Sequence, residues 1–511
     1  MRQNYGIINA HFTYFHPMKE KERVTMKLLS YEEVEAYADE YSFVPISTEI
    51  YSDMITPITL LRRIAGEHRN YFLLESVVNG KNVGRYSFIG YEPKIRLFCK
   101  GKQVFVKTEN KTEQVEGEPL QVLREYTNWY KAPKIQGLPS FSGGFVGYFS
   151  YELIALAEPK LEIKESEFPE YDLMLYDKVM VFDHLMQKII VIANAKTADG
   201  RNGYNDARHE IDRMLKLITN EQPLVKSVAQ EEVTFTSNMT KEEYCTIVEK
   251  VKKYIYEGDT FQTVVSRRFE ADYESSLLNT YRVMRTINPS PYMYFIKCED
   301  IEIAGVSPET LVKLEDNKLT TFPVAGTRKR GHSEEEDLKL EKELLADKKE
   351  LAEHNMLVDL ARNDIGRLSK LGTVKVKDYM QIHRFSKVMH IASVVTGELA
   401  DEKDAVDTIT TMLPAGTLSG APKFRACQII DELEKDARGV YAGAIGYLDF
   451  SGNADVCIGI RTAVKKGNRV YVQAGAGIVA DSKPEDEYEE TYNKAKAILE
   501  AVERSSEVNE L

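Results

Sequence analysis

The sequence predicts a mixed protein of the α+β class, and three observations support this prediction. The chain has 511 residues, 43% of them hydrophobic, which is enough material for a large core. Stretches that alternate apolar and polar residues, such as KVMVFDH and KIIVIANA, are typical of β-strands. Stretches with apolar residues at helical spacing, such as ARHEIDRMLKLI, follow them. Because both kinds of element occur, neither an all-α nor an all-β fold is expected.

The chain divides into three regions. Residues 1–26 are irregular and are interpreted as an N-terminal extension without an assigned function. An N-terminal region over 27–225 and a C-terminal region over 237–507 are separated by a predicted linker, TNEQPLVKSVAQEEVTFTSNMT. The C-terminal region begins with an amphipathic helix and contains the glycine-rich stretches VAGTRKRG, PAGTLSGAPK, YAGAIGYLD and QAGAGIVADS. Since glycine allows close approach of a ligand, the chemistry is expected in this region.

Composition excludes several classes of partner. With 67 basic and 80 acidic residues the net charge is -13, which argues against a nucleic-acid partner but leaves an anionic small molecule possible in a local basic pocket. No apolar run approaches the about 20 residues that cross a bilayer, so no membrane association is predicted. The five cysteines are scattered without metal-ligand spacing, which is typical of reduced thiols in a cytoplasmic protein.

Two predicted helices carry acids at matching spacing. In KKELAEHNMLVDLARND, Glu350 and Glu353 share a helical stripe with apolar residues, where an unpaired buried carboxylate would be costly. In EDEYEETYNKAKAILEAV, Glu487 and Glu490 are again three residues apart. Four carboxylates on two helices can converge on a hard divalent cation such as Mg²⁺. The alternative, that both are solvated faces of charged helices, stays open at this point.

Two further titratable residues are candidates for proton transfer. Glu309 in GVSPETLV lies between two predicted strands and would act as a general acid if burial raised its pKa. The alternative is a charge at a helix N-terminus. His390 in SKVMHIASVV lies among apolar residues, and it is either a core histidine or a catalytic one.

Anion binding is expected near the glycine-rich stretches of the C-terminal region. In LPAGTLSGAPKFRACQIIDELE, glycines lead to Pro422, which suits the first turn of a helix, and free N–H groups there favour a carboxylate or phosphate. The alternative is an ordinary loop before a helix. Arg461 adds a cation, and Gly475 and Gly477 add permissive backbone positions.

These segments closely resemble the chorismate-utilising enzyme family and, within it, the large subunits (component I) of anthranilate synthases. The resemblance extends from about residue 27 and is densest over 240–505. The matching stretches are LLES (Leu73–Ser76), NPSPYMYF (Asn288–Phe295), SPE (Ser307–Glu309), AGTRKRG, EHNMLVDLARND, PAGTLSGAPK, CIGIRTA and QAGAGIVADS.

The resemblance implies a two-sheet sandwich flanked by helices with a central cleft, and it implies roles for individual residues. The implied Mg²⁺ ligands are Glu353 and Glu490, with Glu350 and Glu487 acting through water. The residues implied in catalysis are Glu309, His390 and Thr417. The residues implied in substrate binding are Gly326, Thr327, Tyr441, Arg461, Gly475 and Gly477.

The implied reaction converts chorismate and ammonia, with Mg²⁺, into anthranilate and pyruvate. Two positions discriminate among related chemistries. Ala325 stands where p-aminobenzoate-type synthases carry a lysine nucleophile, and Gln262 stands where isochorismate and salicylate synthases carry a lysine that activates water. Ammonia addition at ring C2 is therefore favoured. The alternatives are the large subunit of aminodeoxychorismate synthase and a catalytically dead tryptophan sensor, which would not need four inward carboxylates.

The resemblance also implies a partner and an inhibitor. The chain lacks the cysteine context of a glutaminase, so a separate glutamine amidotransferase subunit is expected, in a heterodimer or heterotetramer. A tryptophan pocket that mediates feedback inhibition is expected where LLES and NPSPYM meet, although ordinary packing would explain either motif alone. The residues implied in tryptophan binding are Glu75, Ser76, Pro291, Tyr292, Met293 and Cys457.

Overall fold

The strands of this protein pair into two large antiparallel sheets. A computed structural model describes residues 28–78, 82–219, 233–384 and 388–508. The predicted N-terminal extension and most of the predicted linker lie outside these ranges.

The helices of the described chain include all those that the sequence analysis singled out. ARHEIDRMLKLI lies within one helix, and KEEYCTIVEKVKKYIY forms another whose first turn is capped by Thr240 and Glu243. In chain order the helices are α1 (Tyr31–Glu35), α2 (Pro57–Glu67), α3 (Pro119–Trp129), α4 (Ile154–Ala157), α5 (Gly200–Thr219), α6 (Lys241–Tyr256), α7 (Leu278–Ile287), α8 (Glu334–Ala346), α9 (Lys348–Gly366), α10 (Ala405–Met412), α11 (Lys423–Leu433) and α12 (Pro484–Glu503).

The stretches KVMVFDH and KIIVIANA, which the sequence analysis assigned to strands, form β11 (Lys178–Asp183) and β12 (Lys188–Lys196). In chain order the strands are β1 (Phe43–Tyr51), β2 (Tyr71–Glu75), β3 (Val77–Val78), β4 (Asn82–Val83), β5 (Tyr86–Tyr91), β6 (Ile95–Lys100), β7 (Gln103–Lys107), β8 (Thr112–Val115), β9 (Gly144–Phe149), β10 (Tyr171–Tyr176), β11 (Lys178–Asp183), β12 (Lys188–Lys196), β13 (Thr236–Ser237), β14 (Gln262–Asp272), β15 (Tyr292–Cys298), β16 (Ile301–Ser307), β17 (Thr310–Glu315), β18 (Lys318–Thr321), β19 (Val324–Lys329), β20 (Lys375–Arg384), β21 (Val388–Glu398), β22 (Gly420–Ala421), β23 (Ala444–Asp449), β24 (Ala454–Ile458), β25 (Thr462–Lys466) and β26 (Arg469–Ile478).

Each sheet takes strands from both halves of the chain. The first sheet has the order β1-β12-β11-β5-β2-β15-β16-β25-β26-β14-β13, with β22 also paired to β14. The second has the order β19-β21-β18-β17-β24-β23-β9-β10-β6-β7-β8, with β20 also paired to β21. The regions before and after the linker are therefore interleaved: β2 lies beside β15, and β9 lies beside β23.

Apolar side chains fill the space between the two sheets and the space beneath the helices. One buried cluster combines residues of both sheets, such as Phe72 of β2 and Val146 of β9. A second cluster packs α2, α5, α7 and α12 on the first sheet, and a third packs α3, α10 and α11 on the second. Each large side chain buried in this way contributes about 1.5–3 kcal/mol. The two-sheet sandwich flanked by helices is thus confirmed.

Candidate active site

A large cavity brings together residues that are far apart in the chain. Its volume is about 1410 Å³, and its walls include parts of β14, β19, β21, β26, α9 and α12. Every residue that the sequence analysis assigned to catalysis, substrate binding or metal binding lines it: Gly326, Thr327, Glu309, Glu350, Glu353, His390, Thr417, Tyr441, Arg461, Gly475, Gly477, Glu487 and Glu490.

The four acids face this cavity from two helices. The first turn of α9 is capped by Asp347, which accepts hydrogen bonds from the backbone N–H groups of Lys349 and Glu350. The surrounding cavity walls partly desolvate Glu353 although it stays open to the cavity, and this effect, together with the negative charges of Glu350 and Glu490, raises its pKa. Burial and the charge of Glu490 likewise raise the pKa of Glu487 on α12. The acids on the two helices therefore repel one another across the cavity.

Two of the four acids form ion pairs in the observed conformation. Arg328 donates to Glu350 at 3.0 Å and to Asp347 at 2.8 Å. Lys494 forms an ion pair with Glu490 at 2.7 Å. The expectation that the acids are buried is only partly right, because Glu353 and Glu490 remain open to the water of the cavity. Within the described ranges, no group of three or more His, Cys, Asp or Glu side chains converges closely enough to hold a metal ion.

The donor set nevertheless fits a hard divalent cation. All four candidate ligands are carboxylates, the ligand type that Mg²⁺ prefers, and they line one cavity. Loss of contact with water is the largest cause of the raised pKa values of Glu353 and Glu487, and the charge of Glu490 adds to it in both cases, so the ionised carboxylates would be stabilised by further positive charge. A cation between α9 and α12 would provide that charge once the side chains turn toward it.

Glu309 lies between β16 and β17 and not at the start of a helix, so the helix-terminus alternative is wrong. The Thr417 hydroxyl donates to its carboxylate at 2.9 Å. Burial raises the pKa of Glu309 to about 7, against the opposing effects of Thr417 and the positive charge of Lys494. A carboxyl group with this pKa is protonated in a large fraction of molecules near neutral pH, as a general acid requires.

His390 lies on β21 directly opposite Thr327 of β19. Its Nδ1 atom is 3.1 Å from the Gly326 carbonyl and 3.0 Å from the Thr327 hydroxyl. Because a carbonyl can only accept, Nδ1 carries the proton. Burial lowers the pKa of His390, the Gly326 carbonyl opposes this, and the charge of Arg461 lowers it further. His390 is therefore a neutral ring in the cavity wall and not merely a core side chain.

Arg461 and Tyr441 provide polar groups at the cavity wall. In the part of the chain that the structure describes, the Arg461 guanidinium forms no ion pair with an acidic side chain, and burial lowers its pKa. Burial raises the pKa of Tyr441, so its hydroxyl stays protonated. The site thus offers a cation and a neutral donor to an anionic ligand.

Side chains at the two glycine positions of β26 would make close contacts with neighbouring side chains, and at residue 475 also with the Val265 carbonyl at 2.9 Å. A Cβ atom at residue 475 would lie 2.8 Å from the Tyr441 hydroxyl, and one at residue 477 would lie 2.4 Å from the Gln262 side-chain nitrogen. Gln262 and Ala325, the two positions that discriminate among related chemistries, both line the cavity. The side chains at these positions are therefore within reach of a bound ligand.

The predicted helix after Pro422 is present, whereas the cavity wall is formed by the loop before it, and two cations of the wall were not predicted. Pro422 precedes α11 as its N-cap, and Thr417 and Leu418 of the preceding loop line the cavity. Lys349 and Lys494 also line it, and Lys494 donates to the Gly475 carbonyl at 3.0 Å. The spacing of four residues between Glu490 and Lys494 on one helix is the signal that could have identified the ion pair.

The two motifs assigned to tryptophan binding are neighbours in the first sheet. Glu75 of β2 pairs with Met293 of β15, although more than 200 residues separate them in the chain. The Glu75 carboxylate accepts hydrogen bonds from Tyr281 at 2.6 Å and from Arg285 at 3.0 Å. Ser76 follows β2 and is half-buried.

The other predicted members of this set lie at the edges of the same region. Pro291 lines the cavity, and the Tyr292 hydroxyl donates to Asp455 of the second sheet at 2.7 Å. Cys457 is buried on β24, where it is paired with Thr310 of β17. Pro291 directly precedes β15, so the strand that pairs with LLES begins at the cavity wall.

Comparison with known proteins identifies the class. The family model described as chorismate binding enzyme matches residues 71–500, and the chain belongs to this family. It is 47% identical to anthranilate synthase component 1 of Acetivibrio thermocellus over 489 residues, which cover 93% of this chain and 99% of that protein. It is 44% identical to the protein of the same name from Aquifex aeolicus, over 94% of this chain and 99% of the relative.

Solved structures agree with this assignment. Anthranilate synthase component I from Streptococcus pneumoniae superposes with a TM-score of 0.74 and is 38% identical, over 88% of this chain and 98% of that one. The menaquinone-specific isochorismate synthase of Escherichia coli has a TM-score of 0.68 at 19% identity, over 92% and 98% of the two chains. The second likeness shows the shared fold alone. The predicted family is thus confirmed.

None of the helices in the described ranges is both long and apolar enough to cross a membrane.

Proposed function

We propose that this protein is the large subunit of an anthranilate synthase, which converts chorismate and ammonia into anthranilate and pyruvate as a step of tryptophan biosynthesis. The observation that carries the proposal is one cavity whose walls combine the four acids of α9 and α12 with Glu309, His390 and Arg461. Identities of 42–47% to relatives named anthranilate synthase component 1 support the same reaction.

Substrate binding follows from the charges of the cavity wall. Arg461 has the charge and the planar donors that bind a carboxylate in two-point fashion, and chorismate is a dicarboxylate. The Tyr441 hydroxyl adds a neutral donor, and the absence of side chains at Gly475 and Gly477 lets a ligand approach β26 closely. These residues hold the ring so that ammonia attacks C2.

Glu309 is the proposed general acid. Its carboxyl group protonates the C4 hydroxyl as that group leaves, and the Thr417 hydroxyl fixes the orientation of the carboxyl group. The neutral ring of His390 supplies a proton acceptor in the same wall. A general acid in such a position contributes a rate factor of about 10²–10⁴.

Mg²⁺ is the proposed cofactor, with Glu353 and Glu490 as direct ligands and Glu350 and Glu487 acting through water. When bound, the ion would neutralise the ring carboxylate and withdraw electrons from the ring. Arg328 and Lys494 pair with Glu350 and Glu490 in the described conformation, so these salt bridges must open or be shared when the ion binds.

The side chains at two cavity positions argue against the alternatives. Ala325 has no nucleophilic atom, which disfavours the large subunit of aminodeoxychorismate synthase. Gln262 cannot deprotonate water, which disfavours an isochorismate synthase. A catalytically dead tryptophan sensor would gain nothing from an acid with a pKa of about 7 that faces the cavity.

A glutamine amidotransferase subunit is the proposed source of ammonia, because the chain has no recognisable glutaminase motif and the name component 1 of its relatives implies a further component. All five cysteines are free, which is typical of a cytoplasmic protein, and we place the protein in that compartment.

Purified alone, the chain is expected to form anthranilate from chorismate and an ammonium salt at elevated pH, with Mg²⁺, and to form none with glutamine. Elevated pH is required because only the unprotonated amine is a nucleophile. Anthranilate fluorescence measures the rate, and chromatography of the products separates anthranilate from isochorismate and aminodeoxychorismate. Formation of either other product would overturn the proposal, and glutamine-dependent activity of the pure chain would overturn the proposed partner.

Tryptophan is the proposed feedback inhibitor, and its proposed site lies where β2 and β15 meet. The ammonium group of tryptophan would compete with Arg285 for the Glu75 carboxylate, and Pro291, Tyr292 and Met293 would border the indole. A ligand that favours a state with poor substrate affinity inhibits, and linkage requires chorismate to weaken tryptophan binding by the same factor.

Ser76→Phe is expected to relieve inhibition by tryptophan while leaving turnover without tryptophan largely intact. The bulky ring would occupy half-buried space next to Glu75, outside the cavity lining. Tryptophan titrations at fixed chorismate compare the wild type, the variant and Ser506→Phe, a control at an exposed serine beyond α12. A wild type that ignores millimolar tryptophan, or a variant inhibited as strongly as the wild type, would contradict the regulatory proposal.

A further inference from the structure

Arg438 is a buried cation behind the cavity, in the loop between α11 and β23. Its side chain is 1% exposed. Two of its donors contact the Glu434 carboxylate, at 2.9 and 2.6 Å. The remaining contacts go to backbone carbonyls, that of Leu418 at 2.7 Å and that of Val264 at 2.8 Å. All three nitrogens of the guanidinium are therefore engaged.

The two carbonyls belong to two neighbouring segments of the cavity wall, which are also joined by a hydrogen bond from the backbone N–H of Val264 to the Ser419 carbonyl at 2.8 Å. Leu418 follows Thr417, whose hydroxyl holds the Glu309 carboxylate. Val264 is the third residue of β14, which begins at Gln262. One side chain thus ties the loop that orients the proposed acid to the strand that carries Gln262.

The same guanidinium lies close to two aromatic rings. Its carbon atom is 4.6 Å from the centre of the Tyr151 ring and 5.6 Å from that of Tyr441. Tyr441 is the proposed donor to the substrate, so Arg438 also interacts with the ring of a residue of the site.

Further hydrogen bonds fix Arg438 and its partner Glu434. Glu152, itself buried, accepts from the backbone N–H groups of Arg438 at 2.8 Å and Gly439 at 3.1 Å. Glu434 accepts from the backbone N–H of Ser266 at 2.7 Å and from its hydroxyl at 2.9 Å. Both members of the ion pair therefore have further hydrogen bonds that restrict their positions.

We propose that Arg438 is a positioning residue of the reaction. It fixes the relative positions of three parts of the site around the bound substrate: β14, Tyr441 and the loop 413–419 between α10 and β22, which carries Thr417 and is called the Thr417 loop. The proposal rests on the proposed function, because it assigns Arg438 a task in the same site. A buried ion pair is weak evidence for stability, since the cost of removing two charges from water is comparable to their attraction. The four directed hydrogen bonds, each to a segment of or behind the cavity wall, are what a positioning role requires.

The Arg438→Lys variant tests this role because it keeps the charge and removes the planar fork. A single ammonium group cannot reach Leu418, Val264 and Glu434 in the same geometry. The matched control is Arg96→Lys, which alters a comparable buried pair with Asp172 on β6 and β10, outside the cavity lining. Both variants are assayed for thermal unfolding, and for kcat and KM for chorismate with ammonium as nitrogen source.

Arg438→Lys is expected to lower kcat about 10- to 100-fold, as misplacement of catalytic groups does. Arg96→Lys is expected to leave kcat within about twofold at a similar change in unfolding temperature. A looser Thr417 loop would also weaken the hydrogen bond that favours ionised Glu309, so the alkaline limb of the rate is expected to move up by about half to one pH unit. Lys494, whose charge also acts on Glu309, is unchanged in the variant.

Equal kcat values for Arg438→Lys and Arg96→Lys, at an unchanged pH profile, would overturn the positioning role. If Arg438→Lys does not fold, Glu434→Gln takes its place, because it keeps Arg438 but weakens its anchor, and a kcat loss of about three- to tenfold is then expected. A normal kcat in that variant would likewise overturn the role. Failure of the wild type to form anthranilate would instead refute the proposed function.

Discussion

Glu353→Gln and Glu490→Gln are each expected to lower the rate of anthranilate formation by at least about 10²–10³-fold. The reason is that a bound metal ion lowers the free energy of a negatively charged transition state by several kcal/mol, and each variant would weaken metal binding. An amide keeps the shape of the side chain but removes the negative charge that would hold the cation. The loss is expected with ammonium and with nitrogen supplied by the partner subunit, since both routes use the same cavity. Anthranilate fluorescence at increasing Mg²⁺ gives the rate and the apparent metal affinity.

Controls on the same helices separate this effect from a general loss of acidic charge. Asp359→Asn on α9 and Glu500→Gln on α12 remove carboxylates that form exposed helical ion pairs, and neither residue lines the cavity. Both controls are expected to retain near-normal rates. Calorimetric titration with Mg²⁺ in the presence of chorismate adds a readout that does not depend on turnover. Near-normal turnover of Glu353→Gln and Glu490→Gln at saturating Mg²⁺ would refute the metal assignment.

The elements of this fold could be predicted from local patterns, but their arrangement could not. The short apolar runs in KVMVFDH and KIIVIANA identify β11 and β12, which are buried on both faces instead of alternating, and the capping residues of α6 fix its first turn. Which strands pair is decided by contacts between residues far apart in sequence, such as Glu75 with Met293. No local period contains that information. The division of the chain at the linker therefore gives no hint that both regions contribute to both sheets.

The residues of the site also show what local sequence patterns can and cannot predict. The spacing of Glu350 and Glu353 was enough to predict acids on one face of a helix, yet not the partner Arg328, which reaches Glu350 from β19. Glu309 was identified by its position between strands, but its elevated pKa depends on the walls formed by other segments. Arg438 was not singled out in the sequence: its spacing of four residues from Glu434 is compatible with an ion pair, but two of its four side-chain hydrogen bonds go to backbone carbonyls, which no side-chain pattern reveals.

Glu309→Gln is expected to lower kcat by about 10²–10⁴-fold, the usual contribution of a general acid. The pH profile gives the more specific test. Burial raises the pKa of Glu309 to about 7, so the carboxyl group is mostly protonated below that pH and loses its proton above it. The rate per unprotonated ammonia is therefore expected to be constant below about pH 7 and to fall tenfold per unit above it. In Glu309→Gln this limb should be absent, because an amide does not titrate in this range.

Thr417→Val tests the direction in which the Thr417 hydroxyl shifts the pKa of Glu309. The Thr417 hydroxyl donates to the Glu309 carboxylate and so favours its ionised form, which lowers the pKa against the effect of burial. Loss of the hydroxyl should raise the pKa further and move the alkaline limb to higher pH, while loss of orientation lowers the plateau. An alkaline limb that persists unchanged in Glu309→Gln would assign it to another group, and a limb that moves to lower pH in Thr417→Val would contradict the proposed role of the hydroxyl. His390 is separable from Glu309 in these profiles, because its pKa is lowered and its deprotonation would give a rise in rate on the acid side.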